Sequence, residues 1–177
     1  MATPLPFPYE KLICGAIYHD DALLDKIAEE LTRHFGEIDY HTIPYNFSEI
    51  SPYYNEELGG DGKRIWFSFK NTVDPSKLAE IKLLTNKLEE QFMHDGLRPV
   101  NLDPGLINRG RLSLATTKEA AHRMALSDGI YIEMTLFYCR KKWNFLPWTY
   151  LDFKTDYVLA EMEKIRKIYL SQRKQKA

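Results

Sequence analysis

The stretch KLICGAIYHDDALLDKIAEEL, residues 11–31, decides the first half of the fold. Its opening part, KLICGAIY, is dominated by apolar side chains and predicts a buried strand. Asp20 follows as a helix N-cap, and Gly36 is placed to end that helix. The apolar residues between them recur at helical spacing: Leu23, Leu24, Ile27 and Leu31.

Three further strands and a second helix are predicted after this first strand and helix. IDYHTIPY and KRIWFSF predict a second and a third strand, and RPVNL predicts a fourth. Asp74 and Pro75 predict the start of a second helix, with an apolar stripe from Leu78 to Phe92. The sequence Asp103-Pro104-Gly105 suits a type II turn that ends the fourth strand. This order predicts an α+β fold with a ferredoxin-like split βαβ core, a mostly antiparallel sheet and helices on one face.

The second half predicts an extension of that core. RLSLA predicts a fifth strand, and a helix is predicted to follow from Thr116. GIYIEMTLFY alternates as a strand does, FLPWTYLDF is interpreted as its hairpin partner, and Thr155 as the cap of a terminal helix. Residues 46–62 form a long, partly ordered loop. The whole chain, 1–177, is predicted to be one domain with an extended Pro-rich arm, 1–9, and a frayed basic tail, 170–177.

Composition narrows the class of protein. The formal net charge is −1, which argues against general nucleic-acid binding. No apolar run reaches the roughly 18 residues of a membrane helix. The first residues do not resemble a signal peptide, and the two cysteines lie in apolar runs without a paired spacing. These features predict a cytoplasmic protein with reduced thiols; the oligomeric state is left open.

Long motifs also carry a family resemblance. They are GAIYHDDALL, FSEISPYYNEELG, FSF before Asp74, the block VNLDPGLINRGRLSLATTKEAAHRMALSDGIYIEMTLFY, and LPWTYLDF. With these motifs the chain resembles, over nearly its whole length, an uncharacterised family of bacterial and archaeal proteins known as a domain of unknown function. The resemblance implies no established activity. Some members of that family carry an automatic GTP-binding label.

A phosphate-binding P-loop is excluded by the sequence. GDGKR, residues 60–64, contains the Gly-Lys pair that a P-loop places before its hydroxyl side chain. However, Glu57 stands where the first glycine belongs, and Arg64 replaces the residue that would hold magnesium. TNKLE resembles a guanine-reading motif, but Asn86 and Glu89 lie within the second predicted helix.

The junction LATTKEAAHR, residues 114–123, is the main candidate site. Thr116 and Glu119 fit a capping box, which explains both structurally. A lysine at position 118 would then lie in the first turn, where a cation is unfavourable unless an anion is also bound. We therefore expect Thr116, Thr117, Lys118 and Arg123 to bind a phosphate or carboxylate at a helix N-terminus. A capped surface helix remains the alternative.

Further candidates surround that junction. His122 and Glu133 are the candidates for proton transfer, if any reaction is catalysed. Glu133 in a plain ion pair or in solvent is the alternative. Additional ligand-binding candidates, each with a structural role as its alternative, are Asn101 and Asp103 beside the predicted turn, Tyr131 on the Glu133 face, and Trp148 and Tyr150 as stacking rings.

Two hypotheses of function follow. The first is a domain that binds a small anionic ligand, nucleotide-like or otherwise phosphorylated, at the strand-to-helix junction. The second is a noncatalytic interaction protein that contacts a protein partner or RNA through the Tyr-rich loop containing Tyr53 and Tyr54. Histidine spacing predicts no metal site, and the sequence identifies no cofactor.

Overall fold

The described part of the chain contains nine strands and four α-helices, joined by 3-10 turns and loops. A computed structural model describes residues 3–175; Met1 and Ala2 of the predicted arm, and Lys176 and Ala177 of the predicted tail, lie outside the described residues. The strands are β1 (Glu10–Tyr18), β2 (Ile38–His41), β3 (Tyr45–Asn46), β4 (Lys63–Val73), β5 (Val100–Ile107), β6 (Arg111–Thr116), β7 (Met124–Ala125), β8 (Tyr131–Cys139) and β9 (Lys142–Phe145). The helices are α1 (Leu24–Phe35), α2 (Asn55–Leu58), α3 (Leu78–Phe92) and α4 (Asp156–Gln175).

All nine strands belong to one sheet, and the paired strands are antiparallel. The order across it is β2-β4-β1-β5-β6-β8-β7, with β3 paired to β4 and β9 paired to β8. The predicted α+β class and antiparallel sheet are therefore confirmed. Because β1 lies between β4 and β5, residues that are far apart in the sequence become neighbours on adjacent strands.

Helices cover both faces of the sheet. Alternate residues of β1, among them Leu12 and Cys14, pack with α1 and α3, whereas Ile13 packs with α4 on the opposite face. Because β1 is buried on both faces, it reads as a continuous apolar run and does not alternate. The first two predicted helices, α1 and α3, share one face, as expected, and the terminal helix α4 covers the other.

The predicted helix starts are confirmed by their caps. Asp20 accepts a hydrogen bond from the Ala22 amide at 2.9 Å, and Asp74 accepts one from the Ser76 amide at 2.9 Å. Each opens a single 3-10 turn that continues into α1 or α3. Gly36 ends α1 with a φ of 87°, which favours glycine.

The turn predicted at Asp103-Pro104-Gly105 is wrong, because β5 runs through these residues. Gly105 serves close packing instead: a Cβ there would lie 2.6 Å from Leu114 Cδ2 and 2.6 Å from the Ser113 carbonyl oxygen. Strand β6 pairs with β5 only from Gly105 onward. Pro104 therefore lies beyond the end of that ladder, where its missing N–H is tolerated.

The helix predicted from Thr116 is also wrong. Residues 117–123 form turns and bends, and β7 follows at once. Thr116 Oγ1 accepts the Lys118 amide at 3.1 Å, and Arg123 Nη1 donates to the Lys118 carbonyl at 2.8 Å. The second of these bonds uses a carbonyl that a helix continuing from Lys118 would need for its own backbone ladder. Glu119 is exposed and closes no capping box.

The hairpin is present, but its second strand is earlier than predicted. Arg140 and Lys141 form a tight turn with φ values of 53° and 63°, a backbone that suits a two-residue hairpin. Strand β9 therefore ends at Phe145, where the predicted partner FLPWTYLDF begins. The rest of that segment forms a loop and a 3-10 turn at Asp152–Lys154, after which Thr155 caps α4 by accepting the Val158 amide at 3.3 Å.

At the two ends of the chain, residues 3–9 have no regular structure, whereas α4 extends through Gln175 into the segment expected to fray. The helix is held there by Gln172, whose amide nitrogen donates to Asp39 at 3.0 Å and to the Lys70 carbonyl at 3.2 Å. Residues 170–175 of the predicted tail are therefore helical in the structure.

Candidate functional site

A cavity of about 470 Å³ lies where the central strands, α3 and two connecting segments meet. Its lining includes Arg64 on β4, Asp103 on β5 and the end of β6. Parts of the 47–54 loop and of residues 149–152 complete it. This volume is in the range typical of small-molecule sites.

The cavity brings together most of the predicted ligand-binding residues. Those in the lining are Asn101, Asp103, Thr116, Thr117, Lys118, Arg123 and Tyr150. They come from β5, the end of β6, the following loop and the segment after β9. Their convergence follows from the sheet, because β5 pairs with β6 and β6 pairs with β8.

The floor of the cavity is a buried ionic group, which we define as Arg64, Asp103, Asp152 and Asn101. Arg64 Nη2 donates to Asp103 Oδ2 at 2.8 Å, and its Nη1 donates to Asp152 Oδ2 at 3.1 Å. The Arg64 and Asp152 side chains are 4% and 1% exposed. Burial lowers the pKa of the guanidinium, but Asp152 and Asp103 outweigh it and raise that pKa above its usual value.

Several polar atoms of the floor have no protein partner among the described residues. They are Arg64 Nε, Asn101 Nδ2 and Asp152 Oδ1, and all three are fully buried. A buried polar group without a partner typically costs about 1–3 kcal/mol. Three such atoms in the residues that line one cavity mark a polar floor whose hydrogen bonds the described residues do not complete.

The side wall is formed by α3 and the approach to β5. Lys82 Nζ donates to the Leu102 carbonyl at 2.7 Å, and the Leu102 amide donates to Glu89 Oε1 at 2.7 Å. Arg98 donates to Glu89 and, at 2.7 Å, to Glu57. Burial raises the pKa of Glu89, while Lys82, the Leu102 amide and Arg98 oppose the increase. The charges of this wall are therefore matched in pairs.

The rim consists of Thr116, Thr117, Lys118 and Tyr53, the last three exposed. Lys118 Nζ donates to the Tyr53 hydroxyl at 3.2 Å and lies 4.8 Å from the centre of that ring. Its distance to the centre of the Tyr54 ring is 5.8 Å. Within residues 3–175, no carboxylate lies within ion-pair distance of Lys118.

Arg123 connects the cavity to the predicted catalytic residues. Its Nε donates to Glu133 Oε2 at 2.8 Å, and its Nη2 donates to the Tyr150 hydroxyl at 2.9 Å. His122 Nε2 lies 3.3 Å from the same Glu133 oxygen. Glu133 is 1% exposed, and neither it nor His122 lines the cavity. Glu133 is thus placed to orient Arg123.

Two predicted ligand residues also lie outside the lining. The Trp148 ring stacks on His122 with centroids 5.0 Å apart, and its Nε1 donates to the Met134 carbonyl at 2.9 Å. Tyr131 lies on β8, paired with Thr116 and Ala125. Trp148 therefore supports the His122 side chain, and Tyr131 lies in the sheet beside the rim.

A comparison with family models identifies the chain. The model described as Domain of unknown function (DUF4416) matches residues 8–169. The chain belongs to this family. No curated protein and no solved structure matches it. The residues that line the cavity fall between positions 47 and 152, so all of them lie inside the DUF4416 match.

Sequence reasoning missed several lining residues of this DUF4416 domain. They are Arg64, Lys82, Glu89, Arg98 and Asp152. Arg64 lies in GDGKR and Glu89 in TNKLE, two segments that depart from the nucleotide-binding motifs they resemble. One signal was present: charged residues stand among the apolar residues of β4 and α3, at positions that prove to be buried. Such residues are rarely buried unless they are paired.

Two classes of feature are absent from residues 3–175. Within that range no cluster of three or more His, Cys, Asp or Glu side chains is arranged to hold a metal ion. Nor does that range contain a helix with the length and apolar character needed to cross a bilayer.

Proposed function

We propose that this domain binds a small anionic ligand, carrying a phosphate or a carboxylate, at the rim of the cavity. The observation that carries this proposal is Lys118, a cation of the lining that has no carboxylate partner among the described residues. An unpaired ammonium group beside a cavity is available to an anion, because no internal ion pair must first be broken.

Side chains, and not a helix N-terminus, would hold the anion. The Lys118 amide is already bonded to Thr116 Oγ1, so the backbone donors expected at a helix start are not free. Lys118 and the Thr117 hydroxyl are exposed at the rim, and Arg123 lines the cavity beside them. These groups would supply charge-assisted hydrogen bonds to the oxygens of a phosphate.

Binding is proposed without a reaction. Proton transfer by His122 or Glu133 stays a prediction, and the Arg123–Glu133 ion pair favours a positioning role for Glu133. Contact of Tyr131 or Trp148 with the ligand also stays a prediction. Tyr150 is a better candidate for contact, because it lines the cavity and its hydroxyl is oriented by Arg123.

The test is calorimetric titration of inorganic phosphate and ribose 5-phosphate at low ionic strength, where surface charge is least screened. We expect the purified protein to bind, and Lys118→Ala to weaken binding by about tenfold, or 1.4 kcal/mol. Lys77→Ala is the matched control: Lys77 is 56% exposed in the 3-10 turn before α3, and its ion-pair partner among the described residues is Glu80. Wild-type binding unchanged in Lys118→Ala would overturn the proposal, as would no binding of either probe.

A second candidate function is noncatalytic contact with a protein partner or RNA through the Tyr-rich loop. It is favoured by Tyr53, which is 69% exposed, and by the edge-on packing of its ring on Tyr54 at 4.9 Å. If this is the function, Tyr53→Ala should abolish capture of a partner, whereas Lys77→Ala should leave that capture unchanged. Capture that survives the substitution would exclude the loop as the contact.

Finer predictions about the chain are retained as proposals. The order β2-β4-β1-β5, with two helices on one face, supports the ferredoxin-like split βαβ core. The single sheet supports the assignment of the chain to one domain. Cytoplasmic location, prokaryotic origin and the GTP-binding label implied by the family resemblance stay predictions.

A further inference from the structure

We propose that the ligand of this cavity is dipolar, with its anionic group at the rim beside Lys118 and a cationic amine at the floor beside Asp103. The amine class includes an ammonium, amidinium or guanidinium group. This inference rests on the proposed anion binding and adds a second, oppositely charged subsite.

The first support is an excess of negative charge at the floor. Two carboxylates, Asp103 and Asp152, share the single guanidinium of Arg64. No other basic side chain of residues 3–175 lies within ion-pair distance of either acid. Tyr45 donates a neutral hydrogen bond to Asp152 Oδ2 at 3.0 Å, which leaves the charge unchanged. The floor therefore carries one formal negative charge that the protein does not balance.

The second support is that one acceptor is within reach of a ligand. Asp103 is 24% exposed and lines the cavity. Its Oδ2 accepts from Arg64, while its Oδ1 has no hydrogen-bond partner among the described residues. Asp152, at 1% exposure, anchors Arg64 from below. A ligand amine would thus meet Asp103 first, and it would form a charge-assisted hydrogen bond there.

The third support is independent of charge. Asn101 is 5% exposed, lies two residues from Asp103 on β5, and has an amide nitrogen without a protein partner. A carboxamide can be turned over without changing its shape, so Asn101 offers either its oxygen or its nitrogen to a ligand. The buried Asp152 Oδ1 is a further unpaired acceptor. The floor therefore holds an acceptor in Asp152 Oδ1 and, in one of the two orientations of its amide, in Asn101, whereas Arg64 Nε remains a donor.

Aromatic side chains favour the same kind of head group. Tyr54 and Tyr150 line the cavity. Burial, with Asp103 nearby, raises the pKa of Tyr54 above its usual value, so this hydroxyl stays neutral. Ring faces attract cations, by about 0.5–2 kcal/mol. A cation between these rings and Asp103 would be stabilised by both.

The experiment uses two matched series of compounds: ω-aminoalkyl phosphates and ω-hydroxyalkyl phosphates with two, four and six methylene groups. Each is titrated calorimetrically into the full-length protein. The phosphate is common to both series, so any difference reports the amine. We expect at least one aminoalkyl phosphate to bind about tenfold more tightly than its hydroxyl counterpart, and the best chain length to report the distance from rim to floor.

Substitutions then test whether the amine binds at the floor. Asp103→Asn should bring the affinities of each aminoalkyl and hydroxyalkyl pair to the same value, and Asp25→Asn, an exposed acid on α1, should leave the wild-type difference between the two series unchanged. Equal affinities of the two series at every length would overturn the dipolar ligand while leaving anion binding intact. A preference that persists in Asp103→Asn would overturn the assignment to the floor. Failure of both series to bind would instead overturn the proposed function, and the wild-type comparison is decisive even if Asp103→Asn does not fold.

Discussion

The floor and the rim of the cavity use the same kinds of charged residue in opposite ways. At the floor, Arg64 is 4% exposed and is held by Asp103 and Asp152. At the rim, Lys118 is exposed and interacts with the hydroxyl and ring of Tyr53 and, at 5.8 Å, with the ring of Tyr54. A buried cation with two acids is part of the fold, whereas an exposed cation without an acid is available to a ligand. Stability and binding should therefore separate between the two regions.

The largest expected effect is at the floor. Arg64→Met leaves Asp103 and Asp152 without their cation, and it also removes the contact of the guanidinium with the Trp66 ring at 4.4 Å. Removing one partner of a buried ion pair typically costs about 3–5 kcal/mol, so we expect a loss of that size in the free energy of unfolding. Urea denaturation followed by circular dichroism measures it.

The control for this change is Arg33→Ala on α1, where an arginine that is 58% exposed pairs with Glu29 and Glu30. Exposed pairs contribute about 0–1 kcal/mol. Adding Asp152→Asn to Arg64→Met should recover part of the loss, because one uncompensated carboxylate is removed. A loss below 1 kcal/mol for Arg64→Met would contradict a structural role for the floor.

The second effect concerns the packing of β5, which carries Asp103 of the floor, against β6, which ends at Thr116 of the rim. Gly105 lets β5 approach β6, and Leu114 of β6 lines the cavity. In Gly105→Ala, the new methyl group would meet backbone and side chain at 2.6 Å, so we expect a loss of about 1–3 kcal/mol. Gly110→Ala is the matched control, because nothing lies within 4 Å of a Cβ there. Denaturation of the two variants in parallel checks the difference; equal losses would contradict the role of Gly105.

The two regions also differ in how far the sequence predicts them. Thr116, Thr117 and Lys118 of the rim are close together in the chain, so their grouping was visible without a structure. The floor joins residues of β4, β5 and the segment before α4. That contact depends on the strand order, which places β1 between β4 and β5. Arg64 and Asp152 are 88 positions apart, so no local pattern marks them.

Secondary structure was predictable where local and long-range preferences agree. The capping acids Asp20 and Asp74 and the alternation of β8 gave correct elements. The failures lie where tertiary contacts override a local signal. Pro104 and Gly105 signal a turn but lie within a strand, because close approach to β6 requires glycine. Thr116 signals a helix cap, but residues 117–123 form turns and bends, and Met124 and Ala125 then pair with β8.

The third prediction concerns Arg123, a cation that has a carboxylate partner as Arg64 does. The substitution removes that partner and leaves Arg123 unpaired, as Lys118 is among the described residues. Glu133→Gln leaves Arg123 without its carboxylate partner, so that it resembles Lys118. We expect a loss of about 1–2 kcal/mol in stability, because a buried charge-assisted bond is weakened. We also expect inorganic phosphate to bind about fivefold more tightly, since removal of a negative charge near the site contributes about 1 kcal/mol.

Calorimetry of Glu133→Gln beside the wild type checks the second expectation. Glu29→Gln, a carboxylate on α1 that is 70% exposed, controls for the change in net charge. Weaker phosphate binding in Glu133→Gln would mean that the orientation of Arg123 matters more than its charge, and Arg123 would then belong with the floor.

The smallest effect is at Tyr150, which lies between the two regions. Burial, together with the negative charge of Glu133, raises the pKa of its hydroxyl to about 12. Because a tyrosine in the unfolded chain has a pKa of about 10, the folded state retains this proton as the pH rises from 10 to 12. The stability contributed by Tyr150 is therefore present below pH 10 and is lost as the pH rises through 12.

Below pH 10, Tyr150→Phe should change the free energy of unfolding by no more than about 1 kcal/mol. Tyrosinate absorbance near 295 nm should lose one ionisation close to pH 12 in that variant; a missing step near pH 10 instead would mean that the hydroxyl faces water and that Arg123 is not fixed by it.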